Sequence, residues 1–125
     1  MRHECIASLL VLVDLATAAA ARTDITCTIR EVVIEEGAGR GSLSVHEKSV
    51  SFWLDDASKT IIFADGTALT VTRFDKNWIS AKHGGISYEL DRQRASLSYA
   101  SSTERDRVST LVVGSGRCKS EPPRP

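Results

Sequence analysis

The stretch VSFWLDDASKTIIFADGTALTVT, residues 50–72, decides the fold. Val50, Phe52 and Leu54 alternate with Ser51, Trp53 and Asp55, the period of two that marks a strand with one buried face. Residues 55–59 read as a turn and 60–64 as a short apolar strand. Asp65-Gly66 is the strongest hairpin signal in the chain, because a type I′ turn wants the positive φ that glycine takes freely. Leu69 and Val71 then face inward against Thr70 and Thr72.

The same period continues on both sides. Upstream, residues 26–34 are rich in β-branched side chains, with a change of phase at Arg30 and Glu31 that suggests a bulge. Residues 35–42, which include Gly37, Gly39 and Gly41, read as a loop. Leu43 and Val45 alternate with Ser42, Ser44 and His46 as a further half-buried strand. Downstream, residues 74–77 turn the chain, 78–82 return it, and His83-Gly84-Gly85 turns it again. Ile86, Tyr88 and Leu90 alternate with Ser87, Glu89 and Asp91. Leu97 and Tyr99 alternate with serines, and 108–113 closes the series before the glycines at 114–116. These elements make an all-β fold, a small antiparallel meander of eight or nine short strands at roughly ten-residue spacing. No helical period interrupts them.

Residues 1–21 read as a secretory signal peptide forming a short helix. Arg2 supplies the positive start, residues 6–13 are an apolar run, and the alanine-rich stretch 16–21 offers Ala-x-Ala cleavage sites. The run is about half of the roughly 20 residues a spanning helix needs, so no permanent membrane anchor is expected. Cys5 leaves with this segment, and Cys27 and Cys118 remain as an even pair, the count expected in an oxidising compartment. They are expected to form a disulfide that joins the first strand to a point just after the last. That join suits a closed or nearly closed barrel, since closure removes exposed edges. A domain of this size should fill its interior with side chains and leave no large cavity. The expected organisation is therefore a signal peptide at 1–21, a single β domain at 22–118 and a disordered Pro-rich tail at 119–125.

The sequence has 125 residues, 42% of them hydrophobic and 26% charged, with a formal net charge of zero. Loss of the signal peptide leaves 15 basic and 14 acidic residues. Such a surface gives no reason to expect nucleic acid as a partner. His46 and His83 are the histidines left after cleavage, too few for a zinc site whose thiols are already paired. Asp55 and Asp56 are adjacent, so on a strand they point to opposite faces and cannot converge on one substrate. Gly-x-Ser-x-Gly is absent. Neither an enzyme, a cofactor site nor a metal site is expected. Trp53 and Trp78, on the outer side of their strands, are candidate anchors for a protein partner.

Several segments resemble the small, mostly uncharacterised exported β-domain proteins of Gram-negative bacteria. These are Cys27, Phe52-Trp53-Leu54-Asp55-Asp56, Ala64-Asp65-Gly66-Thr67, Ser87-Tyr88-Glu89-Leu90-Asp91-Arg92 and Gly114-Ser115-Gly116-Arg117-Cys118. The turn at residues 83–88 is similar to the Ser-Gly-x-x-Tyr loop of periplasmic lysozyme inhibitors of the MliC type, with Gly85 and Tyr88 matching and Gly84 at the position of the serine. That resemblance implies a small barrel whose His83, Gly85 and Tyr88 contact a partner enzyme. The expected function is that of a periplasmic or secreted binding or envelope accessory protein with a partner in the cell envelope. The alternatives are a secreted inhibitor of a lysozyme or other hydrolase, and a small hydrolase or ligand carrier.

Overall fold

Alternation of apolar and polar residues gives strands throughout a computed structural model that describes residues 22–37 and 39–121. Residues 1–21, expected as a signal peptide, and residues 122–125 of the expected tail lie outside the described residues. Eight strands follow in chain order: β1 (Arg22–Gly37), β2 (Arg40–Asp55), β3 (Thr60–Phe63), β4 (Thr70–Phe74), β5 (Trp78–His83), β6 (Ile86–Asp91), β7 (Ser96–Arg105) and β8 (Val108–Glu121). They form one antiparallel sheet in the order β3-β2-β1-β8-β7-β6-β5-β4. Chain neighbours other than β3 and β4 pair as hairpins, and the first and last strands pair with each other, which curls the meander into a nearly closed barrel.

The remaining gap lies between β3 and β4. It is bridged by Leu69 N–H to Ile61 O at 3.1 Å and Phe63 N–H to Thr67 O at 2.9 Å, and by the pairing of Ile62 with Ala68. β1 and β8, in contrast, share thirteen residue pairs from Asp24/Glu121 to Glu36/Ser109. Cys27 faces Cys118 within that ladder, and the two are joined with an S–S distance of 2.02 Å. The expected join of first and last strands is present. Cys118 sits inside β8 rather than after it, and Lys119 to Glu121, expected in a disordered tail, continue the strand.

Gly114 and Gly116 do not end β8. They sit inside it at inward-facing positions where neighbours come too close for a side chain. A Cβ on Gly116 would lie 1.8 Å from the Thr28 carbonyl oxygen, and one on Gly114 would lie 2.2 Å from the Tyr99 ring. Bare backbone at these two points lets the strand coil tightly around the barrel.

Cys27, Ile29, Phe52, Leu54, Ile61, Ile79, Ala81, Leu90, Leu97 and Tyr99 form the core. The space left among them is about 10 Å³, too little for more than one water, so side chains fill the barrel body. At one end, three turns share a device: Asp55, Asp75 and Asp91 each accept backbone N–H groups two and three residues ahead through Oδ1, at 2.8 to 3.2 Å. Arg92 ties two of these turns together through Asp56, at 2.7 and 3.2 Å, and the Asp75 carbonyl at 3.3 Å. Asp55 and Asp56 thus end a strand and build a turn.

Two expectations about phase need correction. Residues 42–55 belong to one continuous strand, and β1 runs without a bulge, since both of its ladders keep register. The observed shift of register is in β4, between Val71 and Arg73. The apparent change of phase in β1 has a different cause. β1, β2, β7 and β8 extend past the four short strands, and in this extension most of the apolar residues are on the outer side. Glu31 keeps the inward parity of Cys27 and Ile29, while Val32 and Ile34 face out. On β2, Leu43 and Val45 are likewise on the outside, 65% and 42% exposed, and His46 shares the inward side with Lys48 and Val50.

The hairpin at Asp65-Gly66 is also built differently. Only Gly66 has positive φ, +94°, and Gly66 N–H bonds Phe63 O at 2.9 Å, making a three-residue loop. Asp65 keeps negative φ while its carboxylate accepts the Thr67 N–H at 2.9 Å. Among the described residues, the pairs with two positive φ values are Gly84-Gly85, at +58° and +78°, and Asp106-Arg107, at +51° and +67°.

The left-handed conformation costs an ordinary L-residue about 1 kcal/mol, and Asp-Gly is a preferred type I′ pair. Arg107→Gly should therefore raise the unfolding free energy by about 1 kcal/mol in urea titrations; a loss of stability would contradict the turn assignment. Replacing both Cys27 and Cys118 by Ala should lower it by about 2–4 kcal/mol while the β-sheet circular dichroism spectrum is retained. An unchanged midpoint would show that the cross-link does not constrain the chain.

Candidate functional site

The extension turns one end of the barrel into an open mouth. Its wall is the inward side of the long strands, carrying Glu31, Lys48, Val50, Tyr99, Ser101 and Val112. Opposite stand Phe63, Ala64 and Asp65 at the β3–β4 turn, with Ile86 and Tyr88 from β6. The concavity has a volume of about 540 Å³, within the range of small-ligand and side-chain-binding pockets. Its floor is an aromatic row. Phe52 and Phe63 have ring centroids 6.4 Å apart, Phe63 and Tyr88 5.4 Å, and Tyr88 and Tyr99 5.6 Å. The first two contacts are edge-on, the arrangement favoured by ring quadrupoles. The row connects the packed core to the mouth.

An ion pair forms the polar part of the wall. Lys48 Nζ stands 2.8 Å from Glu31 Oε2, and the Tyr99 hydroxyl donates to the same oxygen. Lys48 Nζ also lies 5.3 Å from the Tyr99 ring centroid, a cation–π distance. Gly114 sets this geometry, since the Tyr99 ring occupies the space where a side chain at 114 would lie. The hydrogen bond from Lys48, followed by that from Tyr99, holds the Glu31 carboxyl below its ordinary value. The bond to Glu31 pushes the Lys48 ammonium up. Burial pushes both Tyr88 and Tyr99 up. Each of these groups is moved away from neutrality.

The residues singled out from the sequence fall at both ends of the barrel. Tyr88 is in the mouth, two residues inside β6, with its ring among the aromatics of the floor. His83, Gly84 and Gly85 form the tight turn beside it, on the rim and exposed. Trp53 and Trp78 lie on the outer side at the other end. Trp53 is half-buried beneath Arg22, whose guanidinium is 4.4 Å from the ring centroid. Trp78 donates its Nε1–H to Glu89 Oε2 at 2.5 Å, and Ser80 Oγ donates to the same oxygen at 2.5 Å. The two tryptophans are thus not brought together with the turn. Sequence reasoning missed Glu31, Lys48 and Tyr99 as a group. The available sign was Glu31 itself, a carboxylate in phase with Cys27 and Ile29. Compared with known proteins, the chain matches no family model, no curated protein and no solved structure.

Glu31 gives a signed pH dependence. Because its folded pKa is depressed, its contribution is present above the ordinary value of 4.5 and is lost as pH falls through the lower folded value. Lys48 acts in the opposite sense: its contribution is present below 10.5 and is lost as pH rises through the higher folded value. Glu31→Gln should cost about 1 kcal/mol at pH 7, the low side for a charged hydrogen bond because Lys48 is partly solvated. The difference from the parent chain should shrink as pH falls below 4.5. Urea midpoints of both proteins across pH 2 to 8 check this; a constant difference would contradict it.

Proposed function

We propose that this chain is exported to the periplasm or beyond the cell and acts there by binding, without catalysis, as an envelope accessory protein. Its recognition surface is the open end of the barrel. The observation that carries this reading is the concavity itself: about 540 Å³ over an aromatic floor, with its one ion pair already satisfied. Such a site offers apolar contact and flat stacking surfaces to an incoming group, while the Glu31–Lys48 pair and Asp65 at the edge accept or donate hydrogen bonds. It takes an aromatic or aliphatic side chain of a protein partner. Export is supported by the signal-peptide pattern at residues 1–21 and by the joined cysteine pair, which is compatible with an oxidising compartment.

The β5–β6 turn favours one particular partner class as a second reading. His83 and the two glycines stand exposed on the rim, where a narrow turn would enter the cleft of a hydrolase while the Tyr88 ring stays in the floor of the mouth.

A photoreactive p-benzoylphenylalanine at position 86, on the mouth, should give a discrete covalent adduct in the protein's own cell. The same residue at position 76, at the far end, should give none. Tyr88→Ala should abolish the adduct, and its mass-spectrometric identity decides between a hydrolase and another envelope protein. No adduct at 86, or equal adducts at both positions, would refute the assignment of the mouth.

A further inference from the structure

The outer side of the extension carries a second surface, independent of the mouth. In most of a barrel the outward positions are polar. Here two neighbouring rows across three strands are aliphatic. Val45, Val32 and Val113 are in register in one row, and Leu43, Ile34 and Leu111 in the next. Leu43 is 65% exposed, Val45 42%, Val113 41% and Leu111 39%. Ala100 on β7 extends the first row. A two-row aliphatic block on one sheet face is the inner surface of a β-sandwich lacking its second sheet.

We propose that a second copy of this chain supplies that sheet, so that the protein forms a two-fold symmetric, face-to-face dimer through the extension. The charges bordering the block select this occupant. The row before the valines carries Arg30 beside Glu47 and Ser115; the row after the leucines carries Glu36 beside Gly41 and Ser109. A two-fold axis lying between the sheets and across the strands, midway between the two aliphatic rows, exchanges these flanking rows. Arg30 of each copy then faces Glu36 of the other, twice per dimer, and valines meet leucines in the centre. Among the described residues neither Arg30 nor Glu36 makes an ion pair within the chain. A lipid tail or an unrelated apolar surface would leave Glu36 unanswered, whereas the symmetric copy sets Arg30 against it.

The size of the surface sets the strength. Four strands about 4.8 Å apart, over four rows about 6.8 Å apart, cover roughly 500 Å² per copy. Two copies together bury on the order of 1,000 Å², the lower end for a specific interface, so the dimer exchanges with monomer. This surface does not involve the mouth, and either can fail without the other.

Sedimentation velocity of the purified protein over concentrations from about 1 μM to 1 mM tests it, a range suited to a small interface. The sedimentation coefficient should rise from monomer to dimer across that range. Leu43→Lys should hold the protein monomeric throughout with an unchanged melting curve, because the side chain is mostly solvated. Arg30→Glu or Glu36→Arg alone should weaken association about tenfold, and the two together should restore it. A monomer at every concentration would overturn the proposal. So would a dimer indifferent to Leu43→Lys, or a double exchange weaker than either single change.

Discussion

The ladder between β1 and β8 is the constraint on which the rest of the structure depends. The six hairpins alone would leave β1–β3 and β4–β8 joined only at the β3–β4 gap, with β1 and β8 as two long exposed edges. Pairing the first strand with the last removes those edges, at the loop-closure cost of bringing together segments 91 residues apart. The cross-link between Cys27 and Cys118 lowers that cost by restricting the unfolded chain, by at most about 4 to 5 kcal/mol in the entropic account. It is placed where the restriction matters, on two residues directly opposite in the ladder. The gap at β3–β4, held by a few bonds around Ile61 and Leu69, is a weaker closure by comparison.

The ladder also makes the two surfaces. Because β1 and β8 pair well beyond the last core residues, they carry β2 and β7 with them past the end of the barrel body. A sheet extended in this way has no interior to fill on its inner side. That side becomes the wall of an open mouth and accepts Glu31, Lys48 and Ser101 beside Val50 and Val112, while Leu43, Val45, Leu111 and Val113 lie on the outside. The open mouth and the apolar outer face are thus two consequences of the same excess of strand length. Tyr99 joins the two regimes: its ring packs on Gly114 at the edge of the core, and its hydroxyl reaches the charged wall.

Much of the fold is legible in the sequence because it rests on local period and covalent chemistry. Residues 50–54, 86–91 and 97–99 alternate as strands and are strands, and Cys27 and Cys118 leave one connectivity. The aspartate-led turn at residue 55 is likewise visible, since its side chain bonds its own loop. What is hidden is where a strand passes from barrel to extension. Leu43 and Val45 have the same local appearance as Val50 and Phe52, and only the register with β1 shows that the pairs face opposite ways. The mouth was hidden for a related reason. Tyr88 is found by pattern, but Glu31 and Tyr99 are 68 residues apart and meet only once β8 lies between them in the sheet.

Amide hydrogen exchange resolved along the chain tests the primacy of this ladder most directly. The slowest-exchanging amides are expected at Thr28, Arg30, Ser115 and Arg117, whose N–H groups point across the β1–β8 ladder, with Ile61, Phe63 and Leu69 at the β3–β4 gap exchanging first. Protection at the gap equal to or greater than that of the β1–β8 ladder would contradict the account.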